Sequence, residues 1–593
     1  MESKLNDSIL KGIYQFNTES QCLFIQKWRE LLFYKTINSY QYKLRNIHSI
    51  LSEIKNLIND IKLGTTISIS NLKDLILETK KLLEKDIVIR KHYRELLGSL
   101  SSGLKPSISE KNELLKLEYR VNYALEIISP TYLENIINDL HNAIVNNETE
   151  IIEPLIETLT TQLINSGWSS RSLHRLGKVI FLTKNDQDFD TKWEKFLNLI
   201  KADKGLYHCY FEVQIDEGEL KKFESAGIRV VSGLDIIQSF EKIGSHHIKE
   251  SGFYIEEEAE AFHEDMYTAV NNCKHKISLK QSVLSFYGTK VIFQNAVNII
   301  FPNEEKLVPF RLIDGNSLFY EPSEEDILTT SQTIKNELIN KDDRIRLQNF
   351  YRQYAVSIST SSNETTFSSL WSALESLLVT GHHQSNIEHI KKIVPSVMCS
   401  RFVPRLLKNF LYDCNRVGVQ PSYKGTRINT ATPGEQDLKA LFNIFKDETE
   451  YQNLITNIND YVLLNRRCIE LKNDLENSET LNKLMTGHYN TISMHIQRLY
   501  RVRNNLVHSA NVEKDIDLLV EHLHFYTRST ISELVHRLTW HNFKSLGELF
   551  MIIEDNYYAL IEILKENIKN SPKKNIKDYD PDIIFSGPIF NYA

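Results

Sequence analysis

The chain has 593 residues, with 70 Lys and Arg against 77 Asp and Glu for a formal net charge of −7, which excludes a histone-like cationic protein and makes any nucleic-acid surface a local one. Gly, at 21 residues, stands at about half its usual frequency, and the 13 prolines are few, so long helices are expected to dominate a length suited to roughly three or four domains. Six scattered cysteines (Cys22, Cys209, Cys273, Cys399, Cys414, Cys468) form no CxxC pair, which points to a reducing, cytoplasmic setting. No apolar run approaches the roughly 18 residues of a membrane span, and the opening MESKLNDSILK lacks the layout of a secretory signal.

Residues 1–168 read as helix after helix. Cys22–Phe33 is followed by Leu44, Ile47, Ile50, Leu51, Ile54, Leu57, Ile58 and Ile61 at spacings of three and four. Further helices are expected over 71–100, 108–128 and 131–165, punctuated by Gly64, Pro106 and Pro130. The expectation is a helical bundle or coiled-coil-like region. The character then changes, and residues 169–325 read as an α/β or α+β domain. Lys178–Leu182, Tyr207–Ile215, Ile228–Val231, Ser278–Phe286 and Lys290–Ile300 are expected strands, with helices over 190–202, Gly233–Ile243 and, from its acidic composition, 257–272. Residues 326–570 are helical again: Ile334–Ile358, Phe367–Val379, 388–412, 436–477, 490–508 and 513–567. Residues 571–593 show no helical period and read as a tail. The predicted class is mainly α.

One segment carries chemistry. Tyr500–Ala510 reads YRVRNNLVHSA, on a helix expected to start at a capping Asn490 and to hold its core with Ile492, Ile496, Leu499 and Leu506. Arg498, Arg501 and Arg503 are then expected to project from its other faces, while Asn504 and His508 share a side one turn apart. Arg503 and His508, five positions apart, converge only if the helix kinks or unwinds near its end. Such a set suits RNA cleavage: a histidine exchanges the ribose 2′-hydroxyl proton, an arginine neutralises charge on the scissile phosphate, and an asparagine orients either. No metal or other cofactor is required, and the product is a 2′,3′-cyclic phosphate.

Arg503-Asn504-Asn505-Leu506-Val507-His508 resembles the signature of the HEPN superfamily, and Ser369-Leu370-Trp371-Ser372-Ala373-Leu374-Glu375-Ser376-Leu377-Leu378 is similar to the tryptophan- and glutamate-bearing helix of its ApeA-like group in bacterial anti-phage proteins. The resemblance covers about 330–567. It implies a helical bundle that pairs with a second copy, so that two Arg–His motifs face each other and cut RNA without metal. Position by position it makes Arg503 and His508 the catalytic pair, with Asn504 in the polar slot and Trp371 and Glu375 in supporting roles. Because one motif is visible, a homodimer is implied. The biological role implied is abortive infection, with the regions before the bundle sensing a phage-derived trigger and the dimer degrading tRNA, mRNA or rRNA. Some HEPN proteins carry a modified tyrosine two residues past the histidine; here Ala510 stands there. The alternative is a HEPN bundle that binds RNA or dimerises without catalysis.

Charge supports RNA contact independently of the family. Thr480–Val512 contains no Asp or Glu, and Lys391–Gly434 carries eight basic residues against Asp413 alone. Lys391, Lys392, Arg401, Arg405, Arg498 and Arg501 are the expected RNA-binding residues, with Phe402, Phe410, Tyr412 and Tyr423 interleaved for base stacking. The competing reading is an ordinary basic face, or one packed against the acidic stretch Glu256–Asp265. His246-His247, Cys273-Lys274-His275 and His382-His383 match no metal-ligand spacing. Asp186, Asp188, Asp190 and Glu212-Val213-Gln214 faintly follow an acid-then-strand nuclease layout, with a solvated loop and strand edge as the plainer account. No phosphate-binding glycine loop occurs.

Overall fold

The computed structural model describes residues 5–33, 43–64, 71–105, 111–184, 187–239, 248–288, 292–302, 307–311, 324–360, 362–378, 386–509, 516–541, 543–570 and 579–590. The protein is mainly α, as composition predicts. The chain opens with α1 (Asp7–Tyr14), α2 (Glu19–Leu32), α3 (Ile47–Lys62), α4 (Leu72–Lys85), α5 (Ile87–His92), α6 (Arg94–Gly103), α7 (Lys111–Ile128), α8 (Tyr132–Val145) and α9 (Thr149–Asn165). The middle comprises α10 (Ser170–Phe181), α11 (Phe189–Ile200), β1 (Lys204–Gln214), α12 (Leu220–Ser225), β2 (Arg229–Ser232), α13 (Gly233–Ser239), β3 (Phe253–Phe262), α14 (Met266–Phe286), β4 (Ile292–Ile300) and β5 (Leu307–Arg311).

The last part holds α15 (Glu324–Lys335), α16 (Lys341–Ser359), α17 (Asn363–Leu378), α18 (Asn386–Ser400), α19 (Phe402–Val417) and the small hairpin β6 (Ser422–Tyr423) and β7 (Thr426–Arg427). It continues with α20 (Glu435–Lys446), α21 (Glu448–Asn457), α22 (Val462–Asp474), α23 (Ser478–Ser509), α24 (Ile516–Trp540), α25 (Leu546–Asn570) and α26 (Pro581–Ser586).

Two compact units share these elements, and neither is one continuous stretch. One gathers Met1–Ile9, Ile47–Asn135 and Tyr320–Ala593; the other gathers Leu10–Asn46 and Ile136–Phe319. The helices of residues 1–168 are therefore divided between them.

In the second unit, Phe24 and Trp28 of α2 meet Phe181, Phe189, Trp193 and Phe196 in an aromatic core with ring centroids 5.0–6.3 Å apart. Gly177 lets α10 lie against Trp28, since a Cβ there would stand 2.7 Å from the indole, and Trp28 Nε1 donates to Leu173 O at 3.0 Å. The sheet has order β2-β3-β1-β4-β5 and is antiparallel throughout. Tyr207, Cys209 and Phe211 of β1 and Ile255, Ala259 and Ala261 of β3 bury one face against Val270, Cys273 and Ile277 of α14.

Three expectations for this unit are corrected. Lys178–Leu182 is the end of α10, not a strand, because Leu173, Leu176, Ile180 and Phe181 bury at helical spacing and the Ser169 hydroxyl caps Ser172 N–H. The expected acidic helix over 257–272 is strand β3 followed by the start of α14. Ala and Glu are good helix formers, but helix propensity is a weak determinant, and here the period-two burial of Ile255, Ala259 and Ala261 overrides it. Ser278–Phe286, an expected strand, continues α14. The helix begins instead at Asp265, whose buried carboxylate accepts from Thr268 N–H at 3.1 Å and Thr268 O–H at 2.7 Å, and from Ser169 N–H at 2.8 Å and Ser172 O–H at 2.7 Å.

In the first unit, α16 packs along α17, α17 along α24, and α18 against α23, α24 and α25. The expected tail is a fourth correction: Ile584 and Phe585 of α26 enter a core with Phe442, Tyr557 and Leu564, and Asn556 holds Ser586 O and Ile589 N–H. Residues 571–578 and 591–593 lie outside the described residues.

Asp265 ties the starts of α10 and α14 together through four bonds. Asp265→Ala is expected to lower stability by about 2–4 kcal/mol, read as an earlier urea midpoint with an unchanged slope.

Candidate catalytic and nucleic-acid site

Helix α23 starts twelve residues before the expected Asn490, which lies exposed on its surface. The cap is Asn477, whose side-chain oxygen accepts from the N–H groups of Glu479 and Thr480 at 2.9 and 3.0 Å. Ile492, Ile496 and Leu499 are buried as expected, joined by Val502, while Leu506 is half-buried. The helix is assigned as continuous α through Ser509.

The three arginines of its distal half do not share one fate. Arg498, expected on an outer face, is 2% exposed. Its Nε donates to Glu53 Oε1 and Oε2 of α3 at 3.0 and 3.1 Å, and its Nη2 and Nη1 donate to Glu78 of α4 at 2.7 and 3.4 Å. Burial pushes its pKa down, but the two carboxylates outweigh this and hold it above the ordinary arginine value. Arg501 is 6% exposed, with Nη2 on Glu53 Oε1 at 2.6 Å. Lys391, another expected RNA contact, pairs with Asp74 of α4 at 2.7 Å, and Gln497 donates to Asn71 Oδ1 at 2.9 Å. These side chains face α3 and α4 rather than solvent.

Arg503 behaves differently. Its side chain stays 30% exposed, Nη1 donates to Asn504 Oδ1 at 3.2 Å, and Nη2 lies 3.8 Å from Glu375 Oε2 of α17. Beneath them the fully buried Trp371 ring sits 5.9 Å from Tyr500. Arg503, Asn504 and Glu375 thus come together, with Trp371 one turn before Glu375 on α17. His508 belongs to α23 by its backbone, and its side chain lies outside the described residues, as does Ala510.

Of the other expected RNA contacts, Lys392 is exposed. Arg401 is half-exposed, 3.3 Å from Glu533 Oε2 and bonded to His536. Arg405 donates to Met398 O and bonds His488 Nε2 at 3.1 Å, its guanidinium over Phe402 at 5.5 Å. The aromatic interleaving is corrected in part. Phe402 and Phe410 are core residues, whereas Tyr412 and Tyr423 are half-buried, each with a lysine over its ring. Lys424 and Arg427 of the hairpin are exposed. Four acids of 256–265 are engaged within their own unit: Glu256 with Arg229, Glu257 with Lys280, Glu258 with His208 and Glu264 with Arg175.

Histidines around these arginines are held neutral. Burial, then the Arg405 charge, pushes His488 down to about 3. Burial and Arg498 lower His522 to about 4, burial and Arg528 do the same to His524, and burial and Arg401 lower His536 to about 4.

Among the weaker candidates, Asp188 caps α11 through Thr191 N–H, Glu212 pairs with Lys249, and Cys273 is in the core. Asp186, His246, His247, His382 and His383 lie outside the described residues. One donor cluster escaped the sequence reading, which looked for ligands close in sequence: His208, Glu256 and Glu258 converge from β1 and β3. Glu53 and Glu78 escaped it too, being 445 and 420 residues from Arg498.

No protein-family model matches the chain, no curated protein is similar to it, and no solved structure matches its fold.

Glu53→Gln combined with Glu78→Gln leaves Arg498 charged and unpaired in the interior; the double variant is expected to lose about 3–5 kcal/mol, measured by denaturant unfolding. Histidines depressed in the folded state stabilise it fully above the unfolded value near 6.5 and lose that contribution as protons bind the unfolded chain first. Unfolding free energy should therefore fall between about pH 6.5 and 4, and His522→Gln should flatten that slope by up to about 1.4 kcal/mol per pH unit.

Proposed function

We propose that the first unit works as a metal-independent HEPN-type endoribonuclease, the effector of an abortive-infection defence in which other regions of the chain respond to a phage-derived trigger. The observation that carries this reading is the part-exposed Arg503, held between Asn504 and Glu375 near the end of α23, while Arg498 and Arg501 are consumed by internal ion pairs. Arg503 neutralises the scissile phosphate, Asn504 and Glu375 set its direction, and His508 exchanges the proton of the 2′-hydroxyl or the leaving oxygen. On a straight helix, residues five apart stand about 140° apart around the axis. A homodimer supplies the facing motif that brings a second arginine and histidine to the cleft. RNA is gripped by the exposed Lys392, Arg401, Lys424 and Arg427; Arg498, Arg501 and Lys391 are withdrawn from that role.

The internal pairing of so many basic side chains favours a second reading, a dimerisation or RNA-binding scaffold without catalysis. Purified full-length protein incubated with tRNA and total RNA in EDTA separates the two. Cleavage leaving 2′,3′-cyclic phosphate ends is expected, with His508→Ala and Arg503→Ala each slowing it by at least about 100-fold at unchanged unfolding midpoint. Equal cutting by both variants overturns the assignment. If wild type does not cut, the assay is repeated on RNA from phage-infected cells expressing each version, and silence there leaves the scaffold.

A further inference from the structure

We infer that His208, Glu256 and Glu258 form a binding site for a divalent first-row transition ion of the zinc type on the sheet face opposite α14. The antiparallel register places His208 of β1 directly across from Glu258 of β3, and Glu256, two residues along, points to the same face. His208 Nδ1 lies 3.0 Å from Glu258 Oε1, and one donor atom from each of the three residues falls within 4.8 Å of the others. Donors bound at about 2.0–2.2 Å around a tetrahedral ion stand roughly 3.4 Å apart, so the cluster needs only a small contraction. One imidazole with two carboxylates suits zinc and its neighbours better than calcium or magnesium, which take oxygen alone. Three protein donors leave a fourth position for water or a ligand.

The strands that carry the donors are held from behind, where Tyr207, Cys209, Ile255 and Ala259 pack on α14, so the site resists collapse. Glu256 at present accepts from the Tyr210 hydroxyl at 3.2 Å and from Arg229 Nε at 3.0 Å. Arg229 is 73% exposed on its side chain and loses little by swinging into solvent when a dication arrives. The same face carries a second sign of an unmet ligand. Asn298 lies in register with Tyr210, is 2% exposed, and its Nδ2 has no partner among the described residues. A buried donor left unpaired is costly, so this face of the sheet carries an unmet polar group on β4, across β1 from the two glutamates. The site belongs to the second unit and stands whether or not the ribonuclease reading does.

The test uses full-length protein stripped with chelator and dialysed, then titrated with Zn2+ by calorimetry, with Co2+ as a spectroscopic probe. One equivalent is expected to bind with a tetrahedral Co2+ absorption. His208→Ala should remove that absorption and weaken Zn2+ by at least the roughly tenfold that even an outer partner of a metal ligand commands. Arg229→Ala should instead tighten it, because a competing cation leaves Glu256. That opposite sign separates a built site from a merely acidic surface, which would respond to Arg229→Ala and ignore His208→Ala. No saturable binding in the wild type, or binding unchanged in His208→Ala, overturns the proposal.

Discussion

Arg498 is the constraint from which the first unit is organised. A guanidinium stripped of water needs its planar donors filled, and here two carboxylates from two different helices fill them. The geometry fixes α3, α4 and α23 against one another in register and rotation. Arg501 shares Glu53 and Gln497 donates to Asn71 at the start of α4, so one face of α23 is committed to these helices, and Lys391 of α18 adds its own ion pair to Asp74 of α4. The face that bears Arg503 is what remains free to meet α17 and solvent. A buried ion pair is a poor source of net stability; the geometry of this one decides which arginine of α23 stays accessible.

Much of this architecture was readable in the residues. Spacings of three and four located most of the helices, and the strands around Tyr207–Ile215 and Lys290–Ile300 stood where apolar runs put them. The misreadings have a common cause. Lys178–Leu182 is apolar enough for a strand, yet its neighbours Leu173 and Leu176 extend it into a helical stripe. Glu256–Glu260 has helical composition, yet the alternate burial of Ile255, Ala259 and Ala261 against α14 decides its state. Local preference lost in each case to partners that composition does not display.

The candidate site divides the same way. The Arg503–Asn504 adjacency is local and was legible, whereas Glu375 was singled out only through the likeness of the Ser369–Leu378 helix to the HEPN pattern, and no spacing in the sequence placed it beside Arg503. The fate of Arg498 and Arg501 was not, since a run free of acids looks solvent-facing when its carboxylate partners lie hundreds of residues away. Net charge along a segment measures its composition and says nothing of which residues fold back onto it.

The separations of 445 and 420 residues between Arg498 and its two glutamates also impose a schedule on biosynthesis. At about 5–20 residues per second, the ribosome takes on the order of 20–90 seconds to supply the arginine after the acids have emerged. Throughout that interval α3 and α4 carry carboxylates meant for an interior that does not yet exist, and water must solvate them. The helix that bears Arg503 is made only after the two helices it docks on have waited through that interval. A nascent chain that has not yet reached α23 therefore lacks the assembled Arg503 surface, and timing itself keeps that surface from forming until Glu53, Glu78 and Arg498 have all been made.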